Sequence, residues 1–238
     1  MYSFKTRVRY SEVDKNKHMT LGSLINYFQD CSTFHSESIG AGIETLEEKG
    51  TAWVLSSWQI IVDRYPKLFE EIEVCTLPYD FKGFFGMRNF YILDTEGNMI
   101  AKANSIWIYM DMVHGRPVKI PKGVYDVYGT EEKIPMDYSG RKLPLPKDMT
   151  REEAVVIMKH QIDTNDHVNN GQYIQMAADY LPDGFKTGQL RAEYKMSAKL
   201  GDVLYPYIKE DNGIYTIALC DENEKPYAVA EFTPGEGV

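Results

Sequence analysis

The segment DKNKHMTLGSLINY at residues 14–27 is repeated in outline by DTNDHVNNGQYIQM at residues 163–176. The two segments align without a gap at an offset of 149 positions, and residues 9–30 share six identities in 22 with residues 158–179. The identities include the Asp, Asn and His of an Asp-x-Asn-x-His spacing. An internal repeat of this length predicts two copies of one structural unit.

An amphipathic helix is predicted directly after each copy of the motif. Apolar residues recur through residues 20–40 at the spacing of one helix face, and Thr20 is a suitable N-cap. Residues 169–184 repeat the pattern, with Asn169 at the position equivalent to Thr20 and Pro182 as the stop. The two helices are therefore expected to begin at the same point of the repeat.

Stretches rich in β-branched and aromatic residues follow each helix and predict strands. They lie at residues 51–62, 71–79, 85–94 and 99–110 in the first half, and at 188–198, 202–211, 213–221 and 226–234 in the second. A further short strand is predicted before each motif, at residues 2–10 and 155–163. Strands in uninterrupted succession favour an antiparallel sheet, because parallel neighbours need long crossovers.

The predicted fold class is α+β, with a long helix beside an antiparallel sheet in each half of the chain. We expect a first domain over residues 1–112 and a second over residues 151–238. Residues 113–150 are rich in Pro, Gly and basic side chains, which is typical of a linker.

Composition excludes several classes of function. The formal net charge of −9 argues against nucleic-acid binding, which needs a basic face. The three cysteines form no CxxC pair, and no phosphate-loop, dinucleotide, nucleophile-elbow or zinc-protease motif is present, so we expect neither metal nor cofactor. The start MYSFKTRVRY lacks an apolar segment, and no apolar run is long enough for a bilayer, so we expect a cytoplasmic protein without a membrane span.

The second copy of the motif carries the residue types needed to hydrolyse an activated acyl group. In an extended chain, Asp163, Asn165 and His167 share one face, just ahead of a helix N-terminus that favours developing negative charge. They supply a base or nucleophile, an orienting group and nearby oxyanion donors. A solvated turn with Asn caps would have the same spacing, so the spacing alone leaves both interpretations open.

The pattern D-x-N-x-H-V-N-N-x-x-Y at residues 163–173 resembles the active-site motif of the acyl-acyl-carrier-protein (acyl-ACP) thioesterases. AEYKMSAKLGD at 192–202 resembles the E-Y-R-R-E-C strand of that family, and VKIPKGVYDVYG at 118–129 resembles its K-I-P segment. The resemblance covers nearly the whole chain and is to the bacterial type. It implies two tandem hotdog domains, each a long helix wrapped by an antiparallel sheet.

The resemblance also implies roles for individual residues. By position, the resemblance makes Asp163, Asn165 and His167 catalytic residues. It makes Asn169, Asn170 and Tyr173 residues that contact the substrate. The Glu and Cys of E-Y-R-R-E-C fall at Ser197 and Ala198 here, so the family's Cys is missing. The expected mechanism therefore depends on Asp163 as general base or nucleophile, and Ser197 is a further candidate for contacting substrate or water.

The first copy lacks the Val-Asn-Asn and the Tyr that follow the second motif, and it is interpreted as structural. In this family the first domain houses the acyl chain. Candidates for the lining of that pocket, each of which could instead be core, are Met19, Leu24, Phe28, Trp53, Trp58 and Trp107.

The function implied by the resemblance is hydrolysis of acyl-ACP to a free fatty acid, which terminates fatty-acid synthesis. The alternatives left open are a hotdog acyl-CoA thioesterase and a non-catalytic module that binds acyl thioesters. Because the carrier protein is acidic, a local basic patch is expected. Its candidates are Arg64, Lys67, Arg116, Lys119, Lys122, Arg141, Lys142, Lys195 and Lys199. Two hotdog domains already pair within one chain, so both a monomer and a homodimer are possible.

Overall fold

The computed structural model describes residues 1–235, and this part of the chain divides into two compact units. The first unit contains Met1–Ser56 and Ile60–Tyr138. The second contains Ser57–Gln59 and the chain from Ser139 onward. The residues predicted to be a linker are therefore shared between the units, and the segment that ends at Tyr138 belongs to the first.

The first unit contains three helices and six strands. The helices are α1 (Leu21–Ser38), α2 (Ile43–Glu48) and α3 (Lys122–Tyr128). The strands are β1 (Tyr2–Arg7), β2 (Thr51–Val62), β3 (Glu71–Lys82), β4 (Phe85–Leu93), β5 (Met99–Asp111) and β6 (Arg116–Pro117). Of these, β2 also carries the three residues that group with the second unit.

Strands of the first unit follow the order β1-β3-β4-β5-β2, and the pairs β1–β3, β3–β4 and β4–β5 are antiparallel. Helix α1 packs against β3. Its apolar stripe is buried, with Leu24, Ile25 and Phe28 fully inaccessible, and the Phe28 ring lies 5.2 Å from the Phe90 ring of β4. Burial of a large apolar side chain contributes about 2 kcal/mol, so this stripe fixes the helix on the sheet.

The second unit contains one long helix, α4 (Asn170–Ala178), and six strands. The strands are β7 (Thr150–Arg151), β8 (Val155–Val156), β9 (Thr187–Tyr194), β10 (Val203–Asp211), β11 (Ile214–Cys220) and β12 (Pro226–Pro234). Antiparallel pairing gives the order β9-β12-β11-β10-β7, and α4 contacts β11 and β12. Leu190, Ile217 and Phe232 are fully buried between them.

The structure confirms the internal repeat at the level of the backbone. A short 3-10 helix precedes each motif, at Tyr10–Glu12 and Lys159–Gln161, and the long helices begin at Leu21 and Asn170. Each pair of elements is separated by the same 149 positions found in the sequence. The α+β class, with one principal helix and an antiparallel sheet in each half, is confirmed.

Several predicted boundaries were wrong. The strand expected over residues 155–163 is confined to Val155–Val156, because the chain then turns into a 3-10 helix. The strand expected over 188–198 ends at Tyr194, so Ser197 does not lie in a strand. The helix expected to reach residue 184 ends at Ala178, four residues before the Pro that was taken as its stop.

Within residues 1–235, no helix combines the length and apolar character needed to span a bilayer. In the same part of the chain, no group of His, Cys, Asp and Glu side chains is arranged to hold a metal ion.

Candidate active site

The loop that carries the second motif is a tight hairpin turn. Asp163 N–H donates to the His167 carbonyl at 2.8 Å, and Asp166 N–H donates to the Asp163 carbonyl at 3.2 Å. Asp166 has a φ of 57°, which is the left-handed conformation that Asp tolerates better than most residues. A bridge between Ile162 and Val168 closes the base of the turn.

The two oxygens of the Asp163 carboxylate differ in their hydrogen bonds. Its Oδ1 accepts the backbone N–H of Asn165 at 2.8 Å and that of His167 at 3.5 Å, so it holds the turn in shape. Its Oδ2 has no hydrogen-bond or ion-pair partner among residues 1–235. One oxygen therefore has a structural role, and the other is available for chemistry.

The same carboxylate-centred turn occurs at three other places in the chain. In the turns at 14–18, 94–98 and 221–225, the first residue is also an Asp whose Oδ1 accepts two backbone N–H groups, at 2.8–3.0 Å. Two of these turns are plain hairpin connections between strands. The Asp of the motif is therefore not by itself a catalytic mark, and turn geometry is enough to account for an Asp at position 14 of the first copy.

Two features surround the loop at 163–167, and only the second distinguishes it from the first copy, where Thr20 caps α1 and the Leu21 N–H likewise donates to no other residue within 1–235. The first is the start of α4. Asn169 caps the helix, since its side chain accepts the Gly171 N–H at 2.8 Å. The next amide, Asn170 N–H, donates to no other residue within 1–235, and it lies at the positive end of the helix dipole. A hydrogen-bond donor is thus available a few residues from the free oxygen of Asp163.

The second feature is the segment that follows β9. Val168 N–H donates to the Ala198 carbonyl at 2.9 Å, and Ala198 N–H donates to the Tyr173 hydroxyl at 2.7 Å. Tyr173 is buried, and this burial raises its pKa to about 12, so the hydroxyl stays protonated. Ala198, where the family pattern has Cys, is therefore fixed directly against the loop, while the neighbouring Ser197 is exposed.

The remaining predicted catalytic side chains lie on the loop without contacting each other. Asn165 is exposed and His167 is half-buried. Neither the side-chain amide of Asn165 nor the imidazole ring of His167 hydrogen-bonds to any other residue in the described range 1–235. Asp163, Asn165 and His167 therefore share one turn, but no side-chain hydrogen bond links them.

Sequence reasoning missed the role of Glu193 on β9, which is only 4% exposed. Its carboxylate accepts from Lys195 Nζ at 2.8 Å and from the Leu143 N–H at 2.9 Å, and Arg141 Nη1 lies 3.7 Å away. A buried charge needs such partners to offset its desolvation. No local pattern marked it, because β9, with the sequence TGQLRAEY, carries other polar residues as well. Glu193 therefore anchors residues 141–143 to the strand that leads to Ala198.

Four of the predicted pocket residues, Met19, Leu24, Phe28 and Trp58, are buried, and Trp58 groups with the second unit. Trp53 and Trp107 are partly buried, and the Trp53 ring lies 4.9 Å from that of Tyr109. The first unit contains a cavity of about 340 Å³, and none of the six predicted residues lines it. Side chains that do line it are Ala41, Leu46, Tyr109, Val124, Val127 and Tyr128.

The candidate basic residues fall into two groups. Three are ion-paired within their own unit: Arg64 with Glu70 and Asp94, and Arg141 and Lys195 with Glu193. Six are exposed: Lys67, Arg116, Lys119, Lys122, Lys142 and Lys199. Lys195 is exposed as well but is held by Glu193, so the six residues without an ion pair within 1–235 are the better suited to contact an acidic partner.

Comparison with solved structures supports the same architecture. An acyl-ACP thioesterase from Bacteroides thetaiotaomicron superimposes with a TM-score of 0.89 at 24% identity, covering 97% of this chain and 96% of that chain. A 12:0-ACP thioesterase from Umbellularia californica superimposes with a TM-score of 0.84 at 19% identity, covering 97% and 96%. At these identities the likeness shows the fold, and it confirms the predicted hotdog architecture.

Comparison of sequences assigns the family. The family models for the acyl-ACP thioesterase N-terminal and C-terminal domains match residues 1–128 and 147–224. A chloroplastic acyl-[acyl-carrier-protein] hydrolase of Cuphea viscosissima is 28% identical over 91% of this chain and 58% of its own length. A chloroplastic palmitoyl-acyl carrier protein thioesterase of Gossypium hirsutum is 25% identical over 86% and 54%. The chain spans a little over half the length of these relatives, and it belongs to the acyl-ACP thioesterase family.

Proposed function

We propose that the protein hydrolyses the thioester bond of acyl-ACP and releases a free fatty acid, which ends fatty-acid synthesis on that carrier. The observation that carries the proposal is the state of Asp163. One carboxylate oxygen is held by the turn, and the other is unengaged within residues 1–235. The helix that follows the turn begins at Asn170, whose N–H is also unengaged in the same part of the chain. Membership of the family supports the choice of substrate.

In the general-base route, Asp163 Oδ2 takes a proton from water while the water oxygen attacks the thioester carbonyl carbon. The Asn170 N–H stabilises the oxyanion of the tetrahedral intermediate. The C–S bond then breaks, and the proton held by Asp163 passes to the departing thiolate. In the nucleophilic route, Asp163 Oδ2 attacks the carbonyl and expels the thiolate, and water then hydrolyses the mixed anhydride. Both routes use the same oxygen, and neither needs a cysteine at position 198.

Asn165 and His167 have supporting roles in either route. They flank the turn on which Asp163 lies, and their side chains are not engaged by other described residues. They are therefore available to orient the water or the thioester. The hydroxyl of Tyr173 is occupied by the Ala198 N–H, so it positions the adjacent backbone.

The test is a panel of acyl-ACPs and acyl-CoAs of matched chain lengths, with free fatty acid and free thiol assayed together. Release of both products from acyl-ACP is the expected result. Turnover of acyl-CoA alone would favour the acyl-CoA thioesterase, which the net charge of −9 makes a specific competitor. Tight binding of acyl thioesters with no turnover of either class would favour a non-catalytic binding module.

A further inference from the structure

A buried arginine in the first unit has no acidic partner. Arg88 lies on β4 and is only 7% exposed. Its guanidinium carbon is 5.6 Å from the centre of the Tyr128 ring. Burial lowers the pKa of Arg88 to about 10, which still leaves it positively charged at neutral pH. A buried charge is costly unless an opposite charge or several hydrogen bonds offset it.

The contacts of Arg88 use only part of its donor set. Its Nη1 donates to His35 Nδ1 at 3.0 Å and to Thr76 Oγ1 at 3.1 Å. Thr76 Oγ1 gives its own hydrogen to the Asn89 carbonyl at 3.0 Å, so it can only accept from Arg88. His35 Nδ1 must also accept, which puts the hydrogen of the neutral ring on Nε2.

No carboxylate within residues 1–235 forms an ion pair with Arg88. Less buried arginines do have such partners, for example Arg64 with Glu70 and Arg191 with Glu231. Arg116 and Arg151 also form no ion pair within residues 1–235, but both are exposed to solvent. Arg88 is the only arginine in the described part of the chain that is both buried and without a carboxylate partner.

The groups left over around Arg88 are all donors. They are Arg88 Nε and Nη2 and His35 Nε2, none of which donates to another residue within 1–235. The Nε and Nη2 hydrogens of a guanidinium lie parallel and match the two oxygens of a carboxylate. The cluster is therefore suited to a ligand with anionic oxygen acceptors, since all of its unused groups are hydrogen-bond donors.

A largely apolar cavity shares Tyr128 with this cluster; Arg88 and His35 do not themselves line it, and Lys49 is its one charged lining residue within 1–235. Tyr128, whose ring contacts Arg88 and His35, is one wall of the cavity of about 340 Å³ in the first unit. Other walls are the aliphatic side chains of Leu46 and Val124. The volume is at the lower end of the range of small-molecule pockets. A ligand that used both parts would combine an aliphatic chain with a carboxylate.

We propose that Arg88 and His35 form a carboxylate-binding site in the first unit, which takes an aliphatic carboxylic acid with its chain toward the Tyr128 cavity. Two kinds of molecule could supply this carboxylate. One is a free fatty acid, and the other is the far end of an acyl chain that carries a terminal carboxylate. The site is distinct from the loop at 163–167, and its occupation requires no turnover.

The test uses the full chain with sodium decanoate, and methyl decanoate serves as the uncharged control. Binding is measured by titration calorimetry and by the rise in Tm. We expect decanoate to bind wild type at least about tenfold more tightly than it binds Arg88→Met, because a charged hydrogen-bonded pair is lost. Methyl decanoate should bind both proteins equally. Equal affinity of wild type and Arg88→Met for decanoate would overturn the proposal. So would a rise in the Tm of the wild type that sodium chloride produces as well as sodium decanoate does.

Folding of the variant is checked by circular dichroism and urea unfolding. Because Arg88→Met removes an unpaired buried charge at similar volume, its stability without ligand should be close to or above that of the wild type. If Arg88→Met does not fold, Arg88→Lys replaces it, since Lys keeps the charge without the parallel donors. Unchanged decanoate affinity in Arg88→Lys would then count against the site, and weakened affinity would support it.

A second arm separates the two sources. Thioether analogues of decanoyl-pantetheine, which cannot be hydrolysed, are prepared with a methyl or a carboxylate at the far end of the chain. Arg88-dependent tightening for the carboxylate form assigns the site to the end of the acyl chain. Tightening for free decanoate alone assigns it to free fatty acid. These readouts measure binding only, so failure of the proposed hydrolysis would not affect them.

Discussion

Replacing Asp163 by Asn separates the two functions of its carboxylate. Asn keeps an Oδ1 that can accept the N–H groups of Asn165 and His167, and Asn is among the residues that favour this kind of turn. The change replaces the charged, basic Oδ2 by an uncharged amide NH2 group, which cannot accept a proton from water. The fold should therefore survive while the chemistry fails.

The magnitudes follow from the two hydrogen bonds. The bond to Asn165 N–H is 2.8 Å and the bond to His167 N–H is 3.5 Å, so only the first is strong. Asp163→Asn should cost less than about 0.5 kcal/mol of stability, and Asp163→Ala about 1 kcal/mol. The rate of hydrolysis should fall in both variants by about a hundredfold to ten-thousandfold, which is the usual contribution of a general base.

The matched control is Asp14→Asn, because Asp14 holds the equivalent turn with bonds of 2.8 and 3.0 Å. The assay is kcat on acyl-ACP, with the free energy of unfolding from urea titration measured on the same preparations. Asp14→Asn and Asp14→Ala should keep most of the activity. The reasoning is refuted if Asp163→Asn remains active, or if Asp14→Asn loses as much activity as Asp163→Asn while both remain folded.

Three further predictions concern stability. Tyr173→Phe leaves the buried Ala198 N–H without its acceptor and should cost about 1–3 kcal/mol in urea unfolding, with faster hydrogen exchange at that amide. Glu193→Ala should lower the free energy of unfolding by about 3 kcal/mol. Glu193→Gln should lower it less, because Gln still accepts the Leu143 N–H, and the rate of proteolysis near residue 143 measures the difference. Burial and the neighbouring guanidinium lower the pKa of His35 from 6.5 to about 4. Between these two pH values the unfolded chain binds more protons than the folded chain, so the free energy of unfolding falls as the pH drops from 6.5 to about 4. Urea unfolding at each pH should show a loss about 3 kcal/mol larger in wild type than in His35→Gln, since the remaining loss from carboxylates is common to both proteins.

Local rules in the sequence predicted the repeated parts of the fold well. The residues at each helix start, Thr20 and Asn169, cap their helices through side-chain oxygens. The two long helices begin at Leu21 and Asn170, which lie at the offset that the sequence repeat predicts. Such features depend on residues within a few positions of each other, so a single sequence is enough to predict them.

Boundaries that depend on competing local structures were predicted less well. The apolar run before the second motif suggested a strand through residue 163, but a 3-10 turn at Lys159–Gln161 takes its place. There the Met158 N–H donates to the Gln161 side chain at 2.7 Å. The equivalent Arg9 N–H donates to Glu12 in the first copy, also at 2.7 Å. Side-chain capping of this kind competes with strand pairing, and hydrophobic periodicity does not detect it.

The sequence by itself determined the duplicated α+β plan and the positions of the two motif turns, because the signals lie in short segments, and it predicts Asp163 rather than Asp14 as the catalytic residue. Only the tertiary structure decided what meets those segments. It brought Ala198 against the segment after the loop, where it hydrogen-bonds to Val168 and to Tyr173, the latter 25 positions away, and it left one Asp163 oxygen without a partner among residues 1–235. It also buried Arg88 beside His35, 53 positions apart in the chain. Contacts of this kind arise from the pairing and packing of distant elements, and no local pattern specifies them.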